Sequence, residues 1–445
     1  MSDVEIQIEQ WRGYVERRGA IHQRDATELE THLRDQITDL TTSGLSDDEA
    51  FLVAVKRMGS LDAVSHEFAR AHSDRLWKQL VLTTEPAKSG GRRLWVMLAF
   101  AAAAAIVVKA PDVIAAGRLD SFYARNASLL VLPVLALYFA WNRRMSPWHV
   151  VAFVVAPTVL LAVVLNTYPF VPAGSTEVLA AIHVPVVMWF VVGAAYCGGD
   201  LGSANRRMDF IRFTGEIIVY YVLLALGSGA LIGLTFAGFD AIGVDVESVI
   251  VDWIVPFGAA GAVVVAAWLV EAKQSVIENI APVLTKVFTP LTTILVLALL
   301  IATFTVGSLV AVDRDLLILL DVVLVLVLGL LLYAISARDP VEPPTMFDGL
   351  QLVLVAAALL ADLLMFTVML TRVAEFGFSP NKVSALGLNL VLAANLSYAG
   401  WIGFRFARHR RTFAAVERWQ TNYLPMYGGW ALLVVLVLPP VFGFA

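Results

Sequence analysis

Four ionisable side chains stand where the chain offers them little water. Asp362 sits in the apolar run "LLADLLMF", Glu216 one turn into "IRFTGEIIVYY", Asp321 just after Leu316–Leu320, and His183 in "AAIHVPVVMWF". An ionisable group in hydrocarbon costs roughly 3 kcal/mol or more, so each marks a functional site by default. A carboxylate near the middle of a span, as Asp362 is, can take up a proton or a cation; equally, it can be a hydrogen-bonded structural group. Glu216 can reach the nearer interface and Asp321 falls in the outer third. His183, Asn389 and Asn395 can act as polar glue between helices, at about 1 kcal/mol per bond.

A second group lies in "TRVAEFGFSPNKVSAL" at 371–386, where Gly377 and Pro380 supply turn chemistry. Arg372 and Glu375 are about one helical turn apart and can pair, while Asn381 falls near the N-cap of the following helix. One reading is a rigid helical hairpin with its charges in the interface. The other is that Arg372 and Lys382 hold an anionic lipid headgroup or ligand beside the positive end of that helix.

The elements that must position these residues follow from composition. Of 445 residues, 59% are hydrophobic and only 16% charged, which predicts an all-α, polytopic membrane protein. Runs long enough to span predict about eleven transmembrane helices: Leu94–Ala110, Ala127–Trp141, Trp148–Asn166, Val178–Gly198, Ile211–Phe236, Val249–Val270, Pro290–Val312, Leu316–Ser336, Leu350–Val373, Val383–Phe406 and Tyr427–Phe444. The segment 271–291, amphipathic and interrupted by Pro282 and Pro290, reads as an interfacial helix. "GSGALIG", with Gly229 and Gly233, reads as helix-packing glycines.

Residues 1–82 are polar and charged and form a separate domain; 83–93, "TTEPAKSGGRR", reads as a linker to the membrane domain 94–445. Within the first domain, Ala26, Leu29, Leu33, Ile37 and Leu40 recur at helical spacing up to the break at Ser43-Gly44. A second helix follows, with Ser46 and Glu49 as its capping box, Phe51, Ala54, Val55 and Met58 as its stripe and Gly59 as its stop. Val4 to Arg18 and the segment from Ser60 complete a small helical bundle. With the N-terminus in the cytoplasm, fifteen Lys and Arg residues flank the cytoplasmic ends of the spans and six the outer ends. This is the positive-inside asymmetry, and it places Ala445 outside the cytoplasmic membrane.

Two resemblances attach to these stretches. "GLSDDEAFLVAVKRMGS" followed by "LDAVSHEFARAH" resembles the permease prefix domain, the helical signalling domain associated with PadR-type repressors. That resemblance implies signalling to a PadR-type transcription regulator or another cytoplasmic protein. "ENIAPVLTKVFTPL" and the run from "FDGLQLVLV" to "SPNKVSALGLNLVL" resemble the domain-of-unknown-function 4153 family, the match resting on Arg372, Glu375, Gly377, Pro380, Asn381 and Lys382. It implies membrane embedding and no particular chemistry.

The chain shows no phosphate-binding loop, no His-Glu-x-x-His and no nucleophile elbow. Its one cysteine, Cys197, and formal net charge of -5 speak against a thiolate metal cluster and against direct nucleic-acid binding. The sequence therefore predicts a non-catalytic membrane sensor or regulator with no cofactor and no metal, in contact with membrane lipids and open to homo-oligomerisation. The alternative is an ion-coupled transporter using the intramembrane carboxylates.

Overall fold

The computed structural model describes residues 4, 5, 7, 8, 23–58, 88–115, 120–272, 280–305, 314–340 and 342–445. It is 86% helical, with no strand among the described residues. The chain divides into two compact units, Met1–Leu94 and Trp95–Ala445.

In the first unit, α1 (Gln23–Thr42) and α2 (Asp47–Met58) pack through the stripes read from the sequence. Leu33, Ile37, Leu40, Phe51, Ala54 and Val55 are buried together with Val4 and Ile8. Gly44 takes φ +95, a left-handed conformation that ends α1 and suits glycine. Glu49 reaches back to the Ser46 N–H at 3.1 Å and accepts from its hydroxyl at 2.8 Å. These bonds hold its carboxyl below the ordinary carboxylate range. Arg34 ties the N-terminal segment to α1 by a two-toothed contact with Glu5 (3.0 and 2.7 Å) and a further bond to Glu30. The expected helix from Ser60, the stop at Gly59 and linker residues 83–87 lie outside the described residues.

The remaining helices are α3 (Lys88–Ala115), α4 (Asp120–Asn142), α5 (Pro147–Thr167), α6 (Ser175–Tyr196), α7 (Ala204–Asp240), α8 (Glu247–Ala272), α9 (Ile280–Thr305), α10 (Arg314–Ala337), α11 (Met346–Phe376), α12 (Pro380–Ala407), α13 (Phe413–Leu436) and α14 (Leu438–Val441). Residues 88–93 are already helical, so that part of the expected linker is the opening of α3. Among the described residues, ten helices, α3 to α12, are long and apolar enough to cross a membrane.

The expected eleventh span, Tyr427–Phe444, is not one of the ten, because its residues divide between α13 and α14 and the first half of α13 is polar. The ends of this stretch are nonetheless well placed. Phe413 packs on Phe406 at the end of α12 (5.4 Å between ring centroids). At the other end, the Val171 and Thr176 N–H groups donate to the carbonyls of Phe444 and Ala445 at 3.0 and 2.8 Å. Since α6 starts beside Thr176, the stretch runs the length of the bundle.

The expected interfacial helix at 271–291 is also corrected. Glu271 ends α8, residues 273–279 lie outside the described residues, and 280–291 opens α9, which continues through Pro290. The polar face there does not meet headgroups. Thr285, Thr289, Thr292 and Thr293 are buried against protein, and the Thr293 hydroxyl donates to the Thr289 carbonyl at 2.7 Å.

Two apolar cores fill the membrane unit. One joins α4, α6, α8 and the start of α7 around Phe139, Phe213 and Met188; the other joins α10, α11 and α12 around Leu324, Ala358 and Leu396. Gly387 marks where α12 and α13 come closest: any Cβ there would collide with the Trp430 ring. Gly227, Gly229 and Gly233 have open space in front of them, so the glycine stripe of α7 is not an internal packing seam.

Candidate functional site

One end of the membrane unit holds a charged basket of about 560 Å³, lined by Arg143, Tyr196, Gly198, Arg206, Asp209, Arg212, Phe213, Glu216, Val270 and Glu271. Four helix termini build it: the ends of α4, α6 and α8, and the first four turns of α7. On α7 the spacing of Arg206, Asp209, Phe213 and Glu216 puts them on one helical face. The C-terminal carbonyls of α6, which carry partial negative charge, draw in two of the arginines. Arg143 donates to the Tyr196 carbonyl at 3.2 Å and lies 4.8 Å over its ring; Arg206 donates to the Cys197 carbonyl at 2.7 Å. Burial pushes the Cys197 thiol up to about 11, which leaves it protonated and inert as a nucleophile.

The opposite wall is set by Glu271. It pairs with Arg143 at 3.0 Å and accepts from Asn142 at 2.6 Å. Arg212 donates through Nε and Nη2 to the Ser336 carbonyl at the end of α10, at 3.0 and 2.5 Å. It makes no ion pair among the described residues. Asp209 is exposed, and its side chain makes no hydrogen bond or ion pair among the described residues. Arg206 meets Asp200 only loosely, at 3.7 Å, with both side chains about half exposed. Beneath these charges lies an aromatic floor, where Phe213 packs on Tyr196 (4.8 Å), Phe139 (5.2 Å) and Trp189 (6.2 Å). Such a volume, with polar groups over an aromatic base, is of the size that takes a small molecule.

Of the residues singled out in the sequence, Glu216 lines this basket and is 6% exposed. Asp362 and Asp321 lie elsewhere, on α11 and α10, near enough for Asp362 to act electrostatically on Asp321. Asp362 is 3% exposed, and each of the two has a buried Oδ1 without a hydrogen-bond partner. His183 is used locally, its Nδ1 bonding the Leu179 carbonyl one turn back at 2.8 Å. Asn395 is interhelical glue, donating to Gln420 at 3.0 Å and accepting from Trp419 at 2.7 Å, whereas both amide atoms of the fully buried Asn389 lack a partner.

At the other end of the unit, the hairpin between α11 and α12 turns at Gly377, which takes φ +73. Ser379, not Asn381, is the N-cap of α12, accepting from the Lys382 N–H at 3.4 Å. Asn381 donates to Ser175 at the start of α6, at 3.1 Å. Lys382 caps the preceding helix: its ammonium donates to the carbonyls of Arg372 (3.2 Å) and Gly377 (2.8 Å) and sits 5.5 Å over Phe376. Glu375 is exposed and makes no ion pair among the described residues. The hairpin thus brings Lys382 to the backbone of Arg372, while Asn381 bonds to the start of α6.

Sequence reasoning missed the basket, although part of its signal was present. The arginines entered only as topology markers, while Arg206, Asp209 and Glu216, with Phe213 between them, fall on one face of α7. Among the described residues, no group of His, Cys, Asp and Glu side chains is arranged to hold a metal ion. No protein-family model matches the chain, and no curated protein and no solved structure matches it.

Proposed function

We propose that this chain is a non-catalytic sensor or regulator of the cytoplasmic membrane, in which the membrane unit binds a ligand in the charged basket and the helical prefix relays occupancy to a cytoplasmic partner. The observation that carries this reading is the basket: a charged site of about 560 Å³ on an aromatic floor. The positive-inside asymmetry supports a cytoplasmic location for that end, which carries Arg143, Arg206 and Arg338. The resemblance of that unit to permease prefix domains suggests a PadR-type regulator as the partner. Ligand binding can be signalled only if the two states of the basket differ in affinity for ligand and in what they present to the partner.

A second reading, an ion-coupled transporter, draws on Asp321 and Asp362, whose partnerless buried oxygens are what a proton or cation would satisfy. One pair of experiments separates them. The full chain and a chain lacking residues 1–85 are compared for transcription of genes controlled by a co-expressed PadR-type regulator, and the full chain is reconstituted in vesicles carrying a pH gradient. The sensor reading expects transcription to respond only when the prefix is present, with no proton flux. Proton-coupled uptake that Asp362→Asn abolishes, with transcription indifferent to the prefix, overturns it in favour of transport.

A further inference from the structure

The charges of the basket are not all spent on one another, and those left over have opposite signs. Arg143 is neutralised by Glu271 at 3.0 Å. Arg212 is held to a neutral carbonyl, that of Ser336, by two of its nitrogens; the Glu417 carboxylate acts on it electrostatically, but among the described residues no ion pair closes on it. Asp209, three residues earlier on α7, makes no side-chain hydrogen bond or ion pair among the described residues, and Arg206, bonded to the neutral Cys197 carbonyl, shares only a loose ionic contact with the exposed Asp200. An i, i+3 pair such as Asp209 and Arg212 would ordinarily close on itself. Here Arg212 is bonded to Ser336 instead, and Asp209 and Arg212 both line the cavity.

We propose that the basket binds a small zwitterion, with its oxyanion on the guanidinium side at Arg206 and Arg212 and its ammonium on the carboxylate side at Asp209. The apolar part of such a ligand rests on Tyr196 and Phe213. A simple anion would meet Asp209 and the buried Glu216, and a simple cation would face Arg206 and Arg212, so a molecule carrying both charges suits the lining better than either. This inference rests on reading the membrane unit as a ligand-binding sensor and names the chemical class it senses. The zwitterion can be a free metabolite or the headgroup of an aminophospholipid, since both present an oxyanion and an ammonium a few bonds apart.

The test uses the full chain in nanodiscs of phosphatidylglycerol. Phosphoethanolamine and phenylalanine serve as zwitterionic probes, with inorganic phosphate and ethanolamine as single-charge controls. A separate set of nanodiscs contains phosphatidylethanolamine, and retained lipid is read by native mass spectrometry. At least one zwitterion should bind ten-fold or more tightly than either control. Asp209→Asn and Arg206→Gln should each weaken that binding ten-fold or more, while Asp240→Asn, at the far end of α7, leaves it unchanged. Asp209 is exposed, so folded yield and thermal midpoint of Asp209→Asn without ligand should match the parent; Arg206→Gln also loses the bond to the Cys197 carbonyl, so its binding is compared at matched folded yield. Saturation by soluble probes in phosphatidylglycerol identifies a free ligand; selective retention of phosphatidylethanolamine, lost in the same two variants, identifies a headgroup. Phosphate binding as tightly as the zwitterions and indifferent to Asp209→Asn overturns the proposal, as does failure of every probe and of the lipid. Zwitterion binding without any prefix-dependent transcription would overturn the sensor reading and leave the ligand class standing.

Discussion

Replacing Arg338 should do more damage than any other single change at the basket end of the bundle. Its guanidinium spends both ends of its fork on Asp348, at 3.0 and 3.1 Å, and donates further to the carbonyls of Asp339 (3.0 Å), Glu342 (3.1 Å) and Pro343 (2.9 Å). It also lies beside the edge-packed pair Phe406 and Phe413, 4.8 and 4.7 Å from the two ring centroids. The side chains of Arg338 and Asp348 are 10% and 8% exposed, so Arg338→Ala strands a carboxylate away from water, at about 3–5 kcal/mol. Arg338→Lys keeps the charge, but one ammonium cannot serve both carboxylate oxygens and three carbonyls together. The loss of a charge-assisted bond and of the guanidinium contact with the two rings makes about 2–3 kcal/mol. Reversible unfolding in mixed micelles, followed by tryptophan fluorescence, should rank parent above Lys above Ala. A double-mutant cycle with Asp348→Asn should show coupling of about 2 kcal/mol, within the range measured for residues in one hydrogen-bonded network. If Lys matched the parent, or the two substitutions were simply additive, the fork geometry would not be what holds the α10–α11 connection to α12 and α13.

Gly387→Ala should destabilise by about 1–3 kcal/mol through collision with Trp430, whereas Gly229→Ala, which meets open space, should stay within about 0.5 kcal/mol of the parent; equal effects in the same micelle titration would refute the close approach. The carboxyls of Glu5 and Glu49 are held below their ordinary range by Arg34 and Ser46. A depressed carboxylate stabilises above its unfolded value and loses that contribution as pH falls through the folded one. Hydrogen exchange in 47–55, corrected for intrinsic rate, should therefore lose protection below about pH 4, and the same profile in Glu49→Gln would count against the cap. Because Ser175, Asn381 and Ala445 meet at one end of the bundle, cysteines at Glu375 and Ala445 in a Cys197→Ala background should label from the same side of sealed vesicles. Labelling from opposite sides would break the passage of α13.

What the sequence determined by itself is what neighbouring residues decide among themselves. Apolar runs of helix length must bury their backbone in hydrogen bonds, so ten of the eleven expected passages reappear as α3 to α12. The helix ending before Gly44 and the Ser46–Glu49 cap needed only three or four residues each. The turn at Gly377 was equally legible, although the N-cap fell on Ser379, since Pro380 is preorganised for the first helical position. The nature of the last passage was less legible, because the polar first half of α13 buries Gln420 and Thr421 and bonds Gln420 and Trp419 to Asn395 of α12, a use of polar residues that hydropathy does not register. The basket was beyond reach for a related reason. Arg143 finds Glu271 across 128 residues and Arg212 finds Ser336 across 124, and no local spacing encodes which helix ends will meet. The threonine face of α9 had the composition of an interfacial helix and the glycines of α7 that of a packing seam. Tertiary packing reversed both assignments, because whether a polar or small face meets protein, water or lipid depends on what the rest of the chain places against it.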